Sequence, residues 1–191
     1  TLFRSDPPVK NIVNYNYNRS QFILTINPNY GIWNGSSSTK KYNLFYQQSY
    51  TIANPTRTGY NFIGWNNDDP NSNLEDQIFT MNLKDATLTA VWEARKYTLT
   101  YSVNGGNAIS PTSKTITYDS PYGTLPTPTR RGYKFEGWYT SATSGSKVTE
   151  ATIHKSESNI TLYAHWSNTA PTTPVSTITY LNSGSTENGI L

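Results

Sequence analysis

Short runs in which apolar and polar residues alternate recur along the chain and predict β-strands. From residue 97 to residue 103 every second residue is apolar, which places Leu99 and Tyr101 on one face of a strand. No segment keeps a helical period over three turns, although residues 144–156 leave room for a short helix. The pattern therefore predicts a mostly β fold (α+β type) with little or no helix. Further strands are predicted around residues 22–26, 41–46, 60–65, 88–92, 114–118, 132–140 and 159–166.

The predicted strands fall into two copies of one unit. Residues 59–65 and 132–138 share the pattern G-Y-x-F-x-G-W, and TLTAVW at 87–92 pairs with TLYAHW at 161–166. A period of this size indicates a duplicated structural unit. We therefore expect the following organisation: an N-terminal extension or the end of a preceding module at 1–18, a first module at 19–94, a second module at 95–168, and a Pro- and Thr-rich linker with the possible start of a further module at 169–191.

Aromatic residues and glycines of the two motifs are predicted to define the fold. A unit of about 70 residues is near the lower limit for a self-sufficient core, so large side chains must supply the burial. Gly137 inside a strand indicates a β-bulge or a close neighbour, and simple alternation places Phe135 and Trp138 on opposite faces. The fold-defining residues are Gly59, Tyr60, Phe62, Gly64, Trp65 and Trp92 in the first unit, and Gly132, Tyr133, Phe135, Gly137, Trp138 and Trp166 in the second.

The two recurring blocks resemble those of the Listeria–Bacteroides repeat family, also called the internalin B-repeat family. Both units, at residues 20–92 and 96–166, carry G-Y-x-F-x-G-W, then a polar loop, then T-L-x-A-x-W. The resemblance implies two tandem β-grasp-like modules, each a small mixed four-stranded sheet. It also implies a place in a bacterial surface protein, between a ligand-binding head and a wall anchor.

The first unit departs from this family pattern in the loop after its first strand. Where the family usually has Gly-Gly, residues 29–33 read NYGIW. Tyr30 and Trp33 are not required by a core common to both units, and an exposed aromatic ring on a loop is a common platform for a sugar ring or a protein partner. Both are therefore binding candidates. The alternative is that the two rings pack against the other unit or cover the edge of the core.

Composition and charge narrow the class of protein. The chain has no cysteine, so disulfides and thiolate chemistry are absent. Its net charge of +3 is spread over 15 basic and 12 acidic residues without a basic cluster, which argues against nucleic acid as a partner. No apolar run approaches the ~20 residues needed to span a bilayer. The resemblance to the repeat family, and not the composition, implies an extracellular location, at the cell surface or in the cell wall.

The sequence offers few residues that could act in catalysis. Its two histidines are His154 and His165, and the counterpart of His165 in the first unit is Val91. No acidic residue recurs at equivalent positions of the two motifs, so a shared acid–base pair is not available. We expect no enzymatic activity and no cofactor.

One loop offers a weak candidate for calcium. Asp69, Asn71, Asn73 and Glu75 alternate as oxygen ligands of the kind that calcium prefers. An EF-hand loop would need Gly at its sixth position, which here is Leu74. Loops rich in Asn and Asp are also simply good turns.

Two functions of different class remain. The leading hypothesis is a non-enzymatic structural or spacer repeat region of a bacterial cell-surface or secreted protein that presents or spaces an adhesive domain. The alternative is an adhesin or filament subunit, bacterial or viral, that binds glycan or protein and assembles through its terminal segments 1–17 and 169–191. In either case the expected partners are proteins or glycans at the cell surface.

Overall fold

The computed structural model describes residues 20–168, and the expected extension at 1–18 and linker at 169–191 lie outside this range. The mostly β fold is confirmed, and residues 144–156 contain turns and a short strand instead of the helix for which the sequence left room. In this range no helix is long and apolar enough to cross a membrane. The strands are β1 (Gln21–Asn27), β2 (Lys40–Phe45), β3 (Ser49–Thr51), β4 (Tyr60–Asn67), β5 (Asn73–Glu75), β6 (Ile78–Thr80), β7 (Ala86–Ala94), β8 (Lys96–Ser102), β9 (Ser113–Thr117), β10 (Tyr133–Tyr139), β11 (Lys147–Val148) and β12 (Ile160–Asn168).

Two compact units form, and they do not coincide with the two sequence copies. Of the described residues, the first unit contains 20–97 together with two short segments of the second copy, Thr117–Ser120 and Ile153–Ser158. The second unit contains Thr98–Ile116, Pro121–Thr152 and residues 159–168. Residues that sequence alignment assigns to the second copy therefore complete the surface of the first unit.

The first copy forms a mixed four-stranded sheet in the order β2-β1-β7-β4. Strand β1 pairs antiparallel with β2 and parallel with β7, where Leu24 lies opposite Ala86. A second, antiparallel sheet in the order β3-β6-β5 was not predicted, because its strands have only three residues each and show no alternation to detect. Between the sheets lies an apolar core, whose buried members are Leu24, Ile26, Trp33, Leu44, Ile52, Phe79, Met81, Ala86 and Leu88.

The second copy forms a mixed sheet of five strands in the order β11-β10-β12-β8-β9. Strands β8 and β12 are parallel, with Leu99 opposite Ile160. The expected four strands are present, and the two-residue strand β11 extends the edge. Alternation predicted the inward face correctly, since Leu99 and Leu162 have no exposed surface.

A β-bulge at the central glycine of each motif reverses the strand alternation. In β10 the register shifts between Phe135 and Gly137, as the sequence predicted, and in β4 it shifts between Phe62 and Gly64. The extra residue turns Trp138 to the same side as Phe135, and their ring centroids are 5.7 Å apart. The prediction that these two rings lie on opposite faces is therefore wrong, because simple alternation does not continue through a bulge.

Candidate binding site

The loop after the first strand has the same backbone in both copies, although the sequences differ. Asn29 and Tyr30 adopt φ values of 46° and 66°, and Asn104 and Gly105 adopt 46° and 85°. The N–H of Gly31 donates to the carbonyl of Pro28 at 2.9 Å, and its counterpart in the second copy makes the matching bond at 2.9 Å. The departure from the family sequence therefore changes side chains and leaves the backbone unchanged.

Each of these loops is fixed by a tryptophan from the last strand of its copy. The indole Nε1 of Trp92 donates to the carbonyl of Pro28 at 3.2 Å, and Trp166 donates to Val103 at 3.1 Å. In each case the ring lies against a glycine, Gly31 or Gly106, where an added Cβ would overlap the indole. The closing tryptophans thus hold the loops through contacts that need glycine.

Tyr30 extends from this loop into solvent, with 86% of its surface exposed. It occupies the position of Gly105 in a left-handed conformation that is unfavourable for residues with a Cβ. Ile32, which is 52% exposed, occupies the position of the polar residue Asn107. The first loop therefore presents two outward apolar side chains where the second presents none.

Trp33 lies in the core of its own unit and not at a binding surface. Its exposed fraction is 1%, its ring meets that of Tyr42 edge to face at 6.1 Å, and its Nε1 donates to the carbonyl of Ala53 at 2.8 Å. Trp33 is therefore not an exposed platform, and its ring packs in the core, in line with the alternative interpretation of this residue. The ring turns inward because the core accepts its area and Ala53 accepts its N–H.

Because Trp33 turns inward, a different tryptophan donates to the equivalent carbonyl in each copy. In the second copy Trp138 donates to the carbonyl of Pro126 at 2.7 Å, which is the position of Ala53 in the first. Because Trp33 uses that acceptor, the motif residue Trp65 has a buried Nε1 without a hydrogen-bond partner among the described residues. Trp65 and Trp138 therefore occupy equivalent positions, but of their two indole N–H groups only that of Trp138 is hydrogen-bonded to a described residue.

Near Tyr30 the guanidinium group of an arginine lies over the ring of the motif tyrosine. The guanidinium carbon of Arg57 is 3.7 Å from the ring centroid of Tyr60 and 5.5 Å from that of Tyr30. The second copy repeats the first of these contacts, with Arg130 at 3.8 Å from Tyr133. This role was not predicted from the sequence, although an arginine stands three residues before the tyrosine in both motifs.

A groove of about 280 Å³ opens beside this stack, and a second one of about 590 Å³ adjoins it. Both grooves belong entirely to the first compact unit and share the residues Ile32, Arg57, Thr58 and Tyr60. The smaller groove is completed by Tyr30, Tyr118, Asp119 and Lys155, and the larger one by Pro55, Thr56, Asn61, Phe62, Trp92, Arg95 and Glu157. The exposed candidate Tyr30 therefore borders a concave surface.

Charges along the smaller groove are mostly paired. Asp119 accepts a hydrogen bond from the hydroxyl of Tyr60 at 3.1 Å and forms an ion pair with Lys155. The hydrogen bonds from Lys155 and from the Tyr60 hydroxyl lower the pKa of the Asp119 carboxyl. Burial, and then the hydrogen bond to Asp119, raise the pKa of Tyr60. Asp119 is thus ionised and Tyr60 is neutral at physiological pH, which leaves the charge of Arg57 without an acidic partner within salt-bridge distance among the described residues.

The calcium candidates lie in different surroundings. Asp69 is buried, and its Oδ1 accepts the N–H of Asn71 at 3.2 Å in a turn. Asn73 and Glu75 lie in β5 with exposed side chains. Residues 20–168 contain no cluster of three His, Cys, Asp or Glu that could hold a metal. We therefore do not propose a calcium site.

His154 is a buried residue of the first unit. Its exposed fraction is 1%, and its ring lies 5.6 Å from that of Tyr97 and 6.4 Å from that of Tyr118. Burial lowers its pKa below the usual 6.5, because the charged imidazolium loses hydration. The side chain is therefore held neutral by the fold and takes part in packing.

This burial predicts a pH-dependent stability. Because the unfolded chain binds a proton to His154 more readily than the folded chain does, the free energy of unfolding should fall as pH drops below about 6.5 and should be insensitive to this group above it. Urea unfolding between neutral and mildly acidic pH measures the slope. His154→Gln should reduce the slope, and an identical slope in this variant would show that another group causes it.

Comparisons with known proteins agree with this architecture. Residues 24–96 match the divergent InlB B-repeat domain, and residues 97–165 match the Listeria-Bacteroides repeat domain. Internalin H of Listeria monocytogenes serovar 1/2a is 35% identical over 113 residues, which are 59% of this chain and 20% of that protein. A putative membrane protein of Evansella cellulosilytica is 32% identical over 139 residues, or 70% of this chain and 20% of that protein.

A similar solved structure comes from another repeat protein. Streptococcal High Identity Repeats in Tandem (SHIRT) domains 3-4 from a cell surface protein align with 16% identity and a TM-score of 0.26, over 76% of this chain and 96% of that one. The chain spans about a fifth of the length of the curated relatives that it matches.

Proposed function

Because this chain belongs to the Listeria-Bacteroides and InlB B-repeat families, we propose that it is a non-enzymatic spacer that holds an adhesive domain away from a bacterial cell wall. Such repeats occur in surface proteins like the internalins, as the similarity to Internalin H illustrates. A spacer at a cell surface must bear tension between its two ends. The strand order of each copy supports this role.

The first and last strands of each copy are parallel neighbours. In the first copy β1 pairs with β7, from Leu24 opposite Ala86 to Asn27 opposite Thr89. In the second copy β8 pairs with β12 in the same sense. The chain therefore enters each copy on one strand and leaves it on the strand hydrogen-bonded beside it.

This arrangement loads the strand pair in shear. When the two ends of a copy are pulled apart, parallel neighbours must slide along each other, so all hydrogen bonds between them bear the force together. Antiparallel strands joined by a hairpin open one bond at a time when they are pulled from adjacent ends. The loaded strands β1 and β7 are also the two central strands of the sheet, and Leu88 and Ala90 of β7 have no exposed surface. When a copy is pulled from its two ends, we therefore expect it to unfold at a higher force than a domain of similar size that is not loaded in shear.

Single-molecule force spectroscopy tests the spacer role. The chain has no cysteine, so introduced cysteines serve as unique attachment points. Ser20→Cys with Lys96→Cys pulls β1 and β7 in shear, whereas Ser20→Cys with Tyr46→Cys peels β2 from β1. We expect the shear pair to unfold at a force on the order of twofold or more higher, since forced unfolding is governed by the barrier to unfolding. It should release roughly 25 nm of chain at ~3.5 Å per residue.

Equal forces in the two geometries would contradict the mechanical role. Unfolding in shear at a force that is too small to measure above thermal noise would contradict it as well. The hypothesis of a filament subunit joined through its terminal segments concerns residues outside 20–168, and we do not propose it.

A further inference from the structure

We propose that the groove beside Tyr30 and Arg57 binds a sugar that carries a carboxylate. This is a binding site within the spacer itself and does not depend on the mechanical role. It rests on three features of the described residues. These are the exposed ring of Tyr30, the apolar Ile32 where the second copy has Asn107, and the guanidinium N–H groups of Arg57, which have no partner among the described residues. The second copy lacks the first two, which makes it an internal control.

The ring of Tyr30 is not needed to build its loop. Gly105 gives the second loop the same backbone and the same tryptophan contact without a side chain. A tyrosine in this left-handed conformation is disfavoured by about 1–2 kcal/mol relative to glycine. With 86% of its surface in solvent, the ring recovers little of this through packing. Its use must therefore lie outside the fold, at the surface it presents.

Ile32 strengthens the same argument. At its position in the second loop, the amide of Asn107 donates to Thr129 Oγ1 at 2.9 Å and so contributes to holding the loop. Ile32 makes no such bond and leaves 52% of its surface exposed beside Tyr30. The two positions that flank Gly31 thus carry outward apolar side chains where the second copy has a glycine and a polar residue. A paired change of this kind produces an apolar platform next to the groove.

Arg57 supplies the charge that defines the ligand. Stacking on Tyr60 at 3.7 Å holds the guanidinium plane, while its N–H groups make no hydrogen bond to described residues. A planar guanidinium with free donors binds a carboxylate through two parallel hydrogen bonds. The smaller groove is lined by Arg57, Lys155 and Asp119, and the last two neutralise each other. One positive charge remains, which matches one carboxylate.

The combination favours a sugar over other anions. The apolar face of a pyranose ring packs on an aromatic ring such as Tyr30, and its hydroxyls need nearby polar partners. Those partners are present at the groove in Thr58, Asp119 and the hydroxyl of Tyr60. A volume of about 280 Å³ is just below the range of typical small-ligand sites and suits a single sugar ring. A free phosphate would use Arg57 and leave Tyr30 unexplained.

Amide chemical shifts of the full chain provide the test. The probes are methyl β-D-glucuronide and methyl β-D-glucoside, which differ in the carboxylate. We expect saturable shifts at Tyr30, Ile32 and Thr58 with the glucuronide, at a dissociation constant on the order of 1 mM as is usual for a small ligand at an open site. The glucoside should bind about tenfold more weakly or not at all, because it leaves Arg57 unpaired.

Three variants assign the effect to residues. Tyr30→Gly copies the second loop and should weaken glucuronide binding by about tenfold while it preserves or raises the melting temperature. Arg57→Gln removes the charge and should weaken binding by a similar factor. Arg130→Gln changes the matching stack of the second copy and should leave binding unchanged.

Several results would overturn the proposal. Absence of saturable shifts with the glucuronide removes the site, and equal affinity for both sugars removes the role of the carboxylate. Unchanged binding in Tyr30→Gly removes the platform. A glutamate-rich peptide that competes at the same residues with higher affinity than the glucuronide would assign the site to an acidic protein instead. The force measurement is independent of all of these outcomes.

Discussion

Replacing Trp138 by alanine should lower the free energy of unfolding of the second copy by about 3–5 kcal/mol. The ring has 2% of its surface exposed, and it packs against Tyr101 with centroids 4.9 Å apart and against Phe135 at 5.7 Å. Its removal leaves a cavity and also frees the carbonyl of Pro126. A loss of this size is comparable to the whole stability of a small domain, so we expect the second copy to unfold.

Urea unfolding followed by amide signals in β8 and β12 measures this loss. A matched pair separates the hydrogen bond from the packing: Trp138→Phe loses the bond to Pro126, whereas Trp65→Phe removes a buried donor that has no partner within residues 20–168. We expect the first of these two changes to cost more, by about 1 kcal/mol. A midpoint near that of the wild type for Trp138→Ala would show that this ring is not a core residue.

Gly31→Ala should be a highly damaging small change in the first copy. A methyl group at this position overlaps Cζ2 of Trp92 and lies 2.9 Å from the carbonyl oxygens of Pro28 and Thr56. Neither backbone carbonyl can move without losing the hydrogen bonds that shape the loop. We expect a loss of about 3 kcal/mol from overpacking, with release of the Trp92 ring.

Gly35→Ala is the matched control for this prediction. Gly35 has a φ of 74° and nothing within 4 Å of an added Cβ, so it reports backbone strain without steric overlap. Its expected cost is about 1–2 kcal/mol. Thermal unfolding and the fluorescence of the tryptophans distinguish the two variants, and equal losses would mean that the fit around Gly31 does not matter.

The positions of the long strands could be predicted because alternation and the repeat report the same elements. The β-bulge was also predictable, since a glycine inside a strand, such as Gly137, often marks a bulge or a close approach of a neighbouring group. Its effect on Trp138 was not, because the phase after a bulge depends on which residue is left unpaired. Strands of three residues, such as β5 and β6, carry too short a pattern to be detected.

The candidate site could be predicted in part. Comparison of the two loops identified Tyr30 and Trp33, but composition does not show which of two neighbouring rings turns inward. That choice depends on the carbonyl of Ala53, which accepts the N–H of Trp33 and whose position is known only from the structure. Arg57 was missed although an arginine recurs at the same distance before both motif tyrosines. Its stacked geometry, not its presence, gives it a role.

The shared backbone of the two loops separates shape from surface chemistry. Asn29 and Asn104 fix the turn through matching amide hydrogen bonds to Ala90 and Ala164, at 2.9 and 3.0 Å. The residue that follows each asparagine is free to change, at the expense of a small conformational penalty. An array of such repeats can therefore acquire a different outward residue in each copy, so that recognition diversifies along its length while the framework stays constant.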